Sequence, residues 1–382
     1  MTMRPTGAEV QRDTEERSNV SSKAGVVRRG AGGRVEKSLH VGWRDGRGRS
    51  TASLGRSGAM AVIGVMVVLY AVYMIISKQP TTLSGFGTIL GESATIGLAG
   101  VGEAVVILSG GYDLSTGAIV GMVNVILATQ SGFAGNTVVM VIIGLGVGIG
   151  TGLLNGVGVA VLKVPPIIAT LGSLFIWEGV SLLILPQPGG AVGQGFVNVF
   201  SNSIVSIPIP LILFVVAAAI WRWVKFTKTG RFVYMLGGDT DSAGANGVNV
   251  RWVLLFTYAF AGLFYGLAGI FYTAATTSGN PTAGSSLLLP IFAAVVLGGV
   301  VFGGGKGDPA AAVIGAITLT LIGDVLYAFG VSSFYTGIFD GAALIVALIV
   351  SANSGRLVFR QLLFKHGRMV HATGDGGGGA TA

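Results

Sequence analysis

The sequence predicts an all-α polytopic membrane protein: about ten transmembrane helices, some broken, with a faint two-fold internal repeat and both termini cytoplasmic. Three observations carry this. Only 10% of the 382 residues are charged against 51% hydrophobic, where a soluble domain carries about 25% charged residues. Three stretches, residues 59–77, 138–162 and 252–275, run without a charge for roughly the 20 residues that crossing a bilayer needs. The charges also collect at the ends. Residues 1–58 hold 12 Lys/Arg and 6 Asp/Glu, residues 351–382 hold 4 and 1, and the 292 positions between keep 8 and 9. Three parts follow: a basic, disordered cytoplasmic tail (1–58), a transmembrane domain (59–352) and a C-terminal cytoplasmic tail (353–382) with a Gly-rich disordered end.

The net charge of +8 thus belongs to the tails, which suits a solvated segment beside anionic membrane lipid rather than nucleic acid. Cysteine is absent and all three histidines (His40, His366, His371) lie in the tails, so no buried His/Cys metal site or other cofactor is expected. The N-terminal stretch is too long and too acidic for a secretory signal, and its first apolar run is expected to stay as a span.

Shorter or interrupted spans are expected near 88–109, 115–131, 166–186, 208–225, 287–303, 309–329 and 335–352. With ten spans and a cytoplasmic N-terminus, Lys163, Arg222, Lys225, Lys228, Arg231, Arg251 and Lys306 fall on the cytoplasmic side, and Lys78 alone outside. That asymmetry obeys the positive-inside rule. The 64 glycines would weaken soluble helices; in lipid they allow close helix approach, as in "GLGVGIGTG" (144–152).

The repeat rests on two echoes: "EAVVILSGGYD" (103–113) with "FAAVVLGGVVF" (292–302), and "IWEGVSLLI" (176–184) with "IFDGAALIV" (338–346). The first sets Gly110 and Gly111 against Gly298 and Gly299, 188 residues on; the second sets Glu178 against Asp340. Interrupted helices in corresponding places are typical of transporters.

"SGGYDLSTG" (109–117) breaks an apolar run with a glycine pair and Asp113. An acid here satisfies free N–H groups where a helix restarts, or forms a gate or substrate contact. Glu92, Glu103, Glu178, Asp324 and Asp340 also fall inside spans and must face protein, water or one another; they are helix–helix hydrogen-bonding groups or proton carriers, with Glu178 and Asp340 a candidate pair. "GGVVFGGGKGDPA" (298–310) fails as a phosphate loop, because Val300 stands six residues before Lys306 and Gly307 follows it. A tight cytoplasmic turn with Pro309 opening the next helix accounts for it. The loop at 227–250 has room for a short helix flanked by glycines, either a docking element or a solvated connector.

Four segments, "VILSGGYDLSTGAIVG" (106–121), residues 153–184, residues 227–250 and residues 279–316, together resemble the permease subunits of bacterial ABC importers for simple sugars, the ribose/xylose-type family. They occur in the family's order across residues 59–352. The resemblance implies a multi-pass protein of the bacterial inner membrane, itself not an enzyme, moving a ribose-, xylose- or galactose-like monosaccharide. It implies a second permease (an identical copy or a paralogue), cytoplasmic ATPase subunits that supply the energy, and an extracytoplasmic sugar-binding protein. It also makes the segment around Gly230, Arg231, Gly237, Gly238, Asp239, Ala243 and Gly247 the element that couples to the ATPase. Asp239 stands where the family commonly has asparagine, and Pro290 where an acid usually precedes the "AAVV" run; the first bears on the partner, the second on the substrate.

Side chains suited to a sugar pathway are Tyr112, Asn155, Thr170, Ser173, Trp177, Glu178 and Asp340, with Asn280 and Thr282 just outside a span. Sugars are held by polar groups beside aromatic faces. The alternatives are an importer of nucleosides or branched-chain amino acids with the same architecture, or a proton-coupled secondary transporter using the intramembrane acids.

Overall fold

The computed structural model describes residues 48–77, 83–130, 136–201, 203–204 and 207–349. Residues 1–47 of the expected N-terminal tail, and the whole expected C-terminal tail, lie outside them.

Helix α1 (Gly48–Ser77) leads into α2 (Leu83–Leu108), α3 (Thr116–Thr129), α4 (Thr137–Ala160) and α5 (Pro166–Ile184). A short helix α6 (Gln194–Ser201) and a two-residue antiparallel hairpin, β1 (Ser203–Ile204) with β2 (Ile207–Pro208), precede α7 (Ile209–Phe226). Two short helices follow, α8 (Lys228–Gly238) and α9 (Thr240–Ala245). The chain then forms α10 (Val250–Thr276), α11 (Ala283–Leu297), α12 (Ala311–Ala328) and α13 (Thr336–Ile349).

Local chemistry sets many of these ends. Asn136, Thr227, Asp239 and Asn249 each accept a backbone N–H of the first turn of α4, α8, α9 and α10, the usual work of short polar N-cap side chains. Proline opens α5 and α7, where its missing N–H costs nothing. The loop expected to hold one short helix flanked by glycines holds two, with Gly230 and Gly237 inside α8.

All ten expected apolar segments are helical, but they divide by length. Among the described residues, six helices are long and apolar enough to cross a membrane: Gly85–Leu108, α4, α5, α7, α10 and α12. The others, Val62–Ser77, α3, α11 and α13, are shorter. At 14 residues, α3 spans about 21 Å, less than the ~30 Å hydrocarbon core. The span expected at 287–303 instead begins at Ala283 and stops at Leu297, because the glycine pair behind it caps the helix.

At the core, α10 packs on α4, α2 and α3, while α12 packs on α2 and α11. The α4–α10 seam is made by small residues. A β-carbon at Gly148 would overlap the Gly262 carbonyl and lie 2.6 Å from the Gly266 Cα, and one at Gly152 would overlap the Tyr258 carbonyl. Spacing by four places these glycines on one face, so the two backbones touch, as apolar solvent requires of helices lacking a hydrophobic drive to associate.

Candidate functional site

The break after α2 is a Schellman cap. Gly111 N–H donates to the Val106 carbonyl (3.1 Å) and Gly110 N–H to that of Ile107 (2.9 Å). Gly110 takes φ +87°, a conformation that favours glycine. Helix α11 ends the same way: Val300 N–H donates to Val295 (3.3 Å), Gly299 N–H to Val296 (2.9 Å), and Gly299 has φ +88°. The left-handed residue is the first glycine of one pair and the second of the other. The matching conformation therefore sets Gly110 against Gly299, one residue beyond the expected offset, while Gly298 packs tightly on Ala311.

Beyond the break the chain enters a buried polar network. The Asp113 carboxylate accepts the Ser115 N–H (3.0 Å), the Ser115 hydroxyl (2.6 Å) and the Asn155 amide (3.2 Å), and so organises the entry to α3. Glu103 accepts the Asp113 N–H (3.1 Å) and the hydroxyls of Thr116 (2.8 Å) and Tyr265 (2.9 Å). Thr170 accepts the Leu114 N–H (3.1 Å), tying α5 to the same turn. Glu103 and Asp113 are both fully buried. Among the described residues the one ion pair is Lys225–Asp308, so these carboxyls are held by hydrogen bonds, as buried polar groups must be. Asn155 and Thr170 are buried and spend their hydrogen bonds here. Tyr112 donates its hydroxyl to the Phe302 carbonyl and packs its ring on Phe302 (centroids 5.3 Å apart), joining the segments that follow the two capped ends.

Helix α5 is different. It packs on α3 and α4, yet leaves Phe175, Ile176 and Leu183 exposed, the last at 84%. Ser173, Trp177 and Glu178 are half-buried along it. The expected Glu178–Asp340 pair is not formed: neither carboxyl has a hydrogen-bond or ion-pair partner among the described residues. The acids that do meet are Glu92 of α2 and Asp324 of α12. Glu92 also edges an open cavity of about 360 Å³ between the start of α2, β2 and the end of α10. Asn280 and Thr282 shape the loop before α11: Asn280 N–H donates to Asn124 (2.8 Å), and the Asn280 side chain accepts from Thr282 (3.0 Å).

At the opposite end of α2 lie α8 and α9. Arg231, Gly238, Asp239 and Gly247 are exposed, Gly230 and Ala243 are buried, and Gly237 is half-buried. Lys225 pairs with Asp308 (3.0 Å), and Tyr234 donates to the Gly307 carbonyl (3.0 Å), fastening α7 and α8 to the turn after α11. The sequence motifs lead to the break, but Tyr265, 162 positions from Glu103, carries no local signal of its role. Ser115 and Thr116 lie within the quoted motif yet read there as ordinary helix-start residues.

Apolar helices of membrane-crossing length, packed through glycine around a buried polar break, are those of a polytopic membrane protein. Residues 85–348 match the family model described as the permease component of the branched-chain amino acid transport system, and the chain belongs to that family. It is a multi-pass membrane transport subunit, not an enzyme. It is 32% identical to the ribose import permease protein RbsC of Escherichia coli (strain K12) over 75% of this chain and 91% of that one. With RbsC of Bacillus subtilis (strain 168) the identity is 34%, over 77% and 93%. With the galactose/methyl galactoside import permease protein MglC of Haemophilus influenzae it is 31%, over 76% and 93%. No solved structure matches the chain.

Proposed function

We propose that this chain is the permease subunit of an ABC importer that moves a monosaccharide inward, driven by ATP hydrolysis in a separate cytoplasmic ATPase and supplied by an extracytoplasmic sugar-binding protein. The observation that carries the reading is that relatives named for ribose and galactose import share about a third of their residues with this chain over three quarters of its length. In this reading all ten apolar helices contribute to crossing, the short ones α3 and α11 as interrupted elements, and both termini are cytoplasmic. The exposed α8–α9 segment, with Gly230, Arg231, Gly237, Gly238, Asp239, Ala243 and Gly247, docks on the ATPase. Gly110, Gly111, Asp113, Gly298 and Gly299 form the paired breaks that gate passage.

A second permease covers α5. Glu178 supports this: an unpartnered carboxyl on an open apolar helix is costly against lipid and acceptable against protein or a water-filled path. Ser173, Trp177 and Glu178 then border that path, with Asp340 of α13 beside it. Tyr112, Asn155 and Thr170 support the wall from behind.

Uptake of labelled pentoses and hexoses by cells carrying the chain, its ATPase and its binding protein tests this reading. Accumulation that stops on ATP depletion and persists with an uncoupler is expected. Uptake that survives ATP depletion but collapses with uncoupler would sink it in favour of proton coupling.

A further inference from the structure

At its last residues α8 meets two other segments backbone to backbone. Gly305 N–H donates to the Leu108 carbonyl (2.9 Å), the last carbonyl of α2. A β-carbon at Gly237 would overlap that same carbonyl and lie 2.5 Å from the Gly305 nitrogen. From the other sides, a β-carbon at Gly304 would lie 2.6 Å from the Gly237 carbonyl, and one at Gly305 2.9 Å from the Gly238 nitrogen. Gly304 and Gly305 both have positive φ (+76° and +65°), and a β-carbon at Gly110 would lie 3.5 Å from the Gly237 Cα, at ordinary contact distance. Three chain segments therefore meet where no side chain fits: the end of α8, the capped end of α2, and the turn that follows the capped end of α11.

The turn is itself closed. Val301 N–H donates to the Lys306 carbonyl (3.1 Å) and Gly304 N–H to that of Val301 (3.0 Å). Displacement at Gly304 is thus delivered to Val300 and the α11 cap rather than absorbed in a loose loop. Tyr234–Gly307 and Lys225–Asp308 flank the contact. Close-packed backbone has little compressibility and transmits strain, unlike long side chains that relax by changing rotamer.

We propose that Gly237, Gly304 and Gly305, closed on the Leu108 carbonyl, form a joint that passes displacement of α8 to the ends of α2 and α11 together, making Gly237 a positioning residue for transport. The inference rests on α8–α9 docking the ATPase, and it adds the route by which that docking reaches both breaks. It predicts that the joint, rather than the docking surface, sets how much movement each ATP produces.

The test uses the full complex of permease, ATPase and binding protein in proteoliposomes, reading hydrogen–deuterium exchange with and without ATP and vanadate. In the wild type, nucleotide should change exchange in α8, at residues 106–111 and at 299–305. In Gly237→Ala the response should remain in α8 and be lost at both helix ends. Helix ends that respond as in the wild type would overturn the joint. No response in wild-type α8 would overturn the docking reading, and the joint with it. Gly303→Ala, where a β-carbon meets nothing within 4 Å, should behave as the wild type.

Should Gly237→Ala fail to assemble, the flanking ion pair gives the answer. Asp308→Lys should lower the helix-end response to nucleotide about tenfold relative to that of α8, and the swap Lys225→Asp with Asp308→Lys should restore it. A swap no better than the single change would count against the joint.

Discussion

Asp113 shows how one carboxylate is kept inside an apolar bundle: three donors, from Ser115 and Asn155, converge on it. Two of these are sequence neighbours and satisfy it locally; the third comes from α4. Asp113→Leu would leave Ser115 and Asn155 donors unpaired in a buried site, each costing about 1–3 kcal/mol. The thermal unfolding temperature of the purified protein in detergent should fall sharply. Asp113→Asn keeps an acceptor for Ser115 but turns a donor toward Asn155, so its loss should be smaller. Equal losses would mean that charge, and not hydrogen bonding, is what the network needs. The short motif at 109–117 exposed Asp113 and the glycine break to sequence reading. Tyr265 and Asn155 were not legible as partners, because nothing in a linear pattern states which faces of distant helices will touch.

At the scale of elements, the α4–α10 seam depends on glycine more than on any polar contact. Gly148→Ala places a methyl group where the Gly262 carbonyl stands, and should cost about 1–3 kcal/mol through overpacking. Gly150→Ala, facing open space on the same helix, should not lower stability. Paired thermal melts in detergent compare the two, and equal melting temperatures would refute the seam's role. Helix α9 depends on its cap. The Ser242 N–H and hydroxyl, then the Asp241 N–H, hold the Asp239 carboxyl below the usual carboxylate range. A lowered folded-state value means that the cap contributes above the unfolded value, and is lost only as pH falls through the lower folded one. Helix α9 should therefore stay capped at neutral pH and fray only in acid below the ordinary aspartate value of about 3.9. Asp239→Ala should speed amide exchange across residues 240–245 about fivefold at neutral pH, with Asp239→Asn close to the wild type. The glycine-rich 144–152 stretch announced close packing, and the cap at Asp239 obeys a local rule. The partner of the seam did not show, because glycine spacing marks a face but not what meets it.

For the whole molecule, the open face of α5 leads to a prediction about assembly. The chain has no cysteine, so Leu183→Cys, at the most exposed apolar position of α5, gives a single reporter thiol. Mild oxidation in membranes should yield a disulfide-linked pair of chains, seen as a dimer band that reductant removes. Val138→Cys, exposed on α4, should stay monomeric. Dimers from Val138→Cys but not from Leu183→Cys would place the partner elsewhere. The sequence by itself determined the membrane class and every apolar helix, because hydropathy and charge are summed along the chain and need no knowledge of neighbours. It also located both glycine breaks, since a glycine pair ends a helix by local conformational freedom. Only the tertiary structure decided that Glu103 and Asp113 share one network, that Glu92 meets Asp324 while Glu178 and Asp340 stay apart, and that the end of α8 meets the end of α2 and the turn after the α11 cap through glycine. These depend on which helix faces come together, and in an apolar bundle that choice is made by close packing, which no single segment encodes.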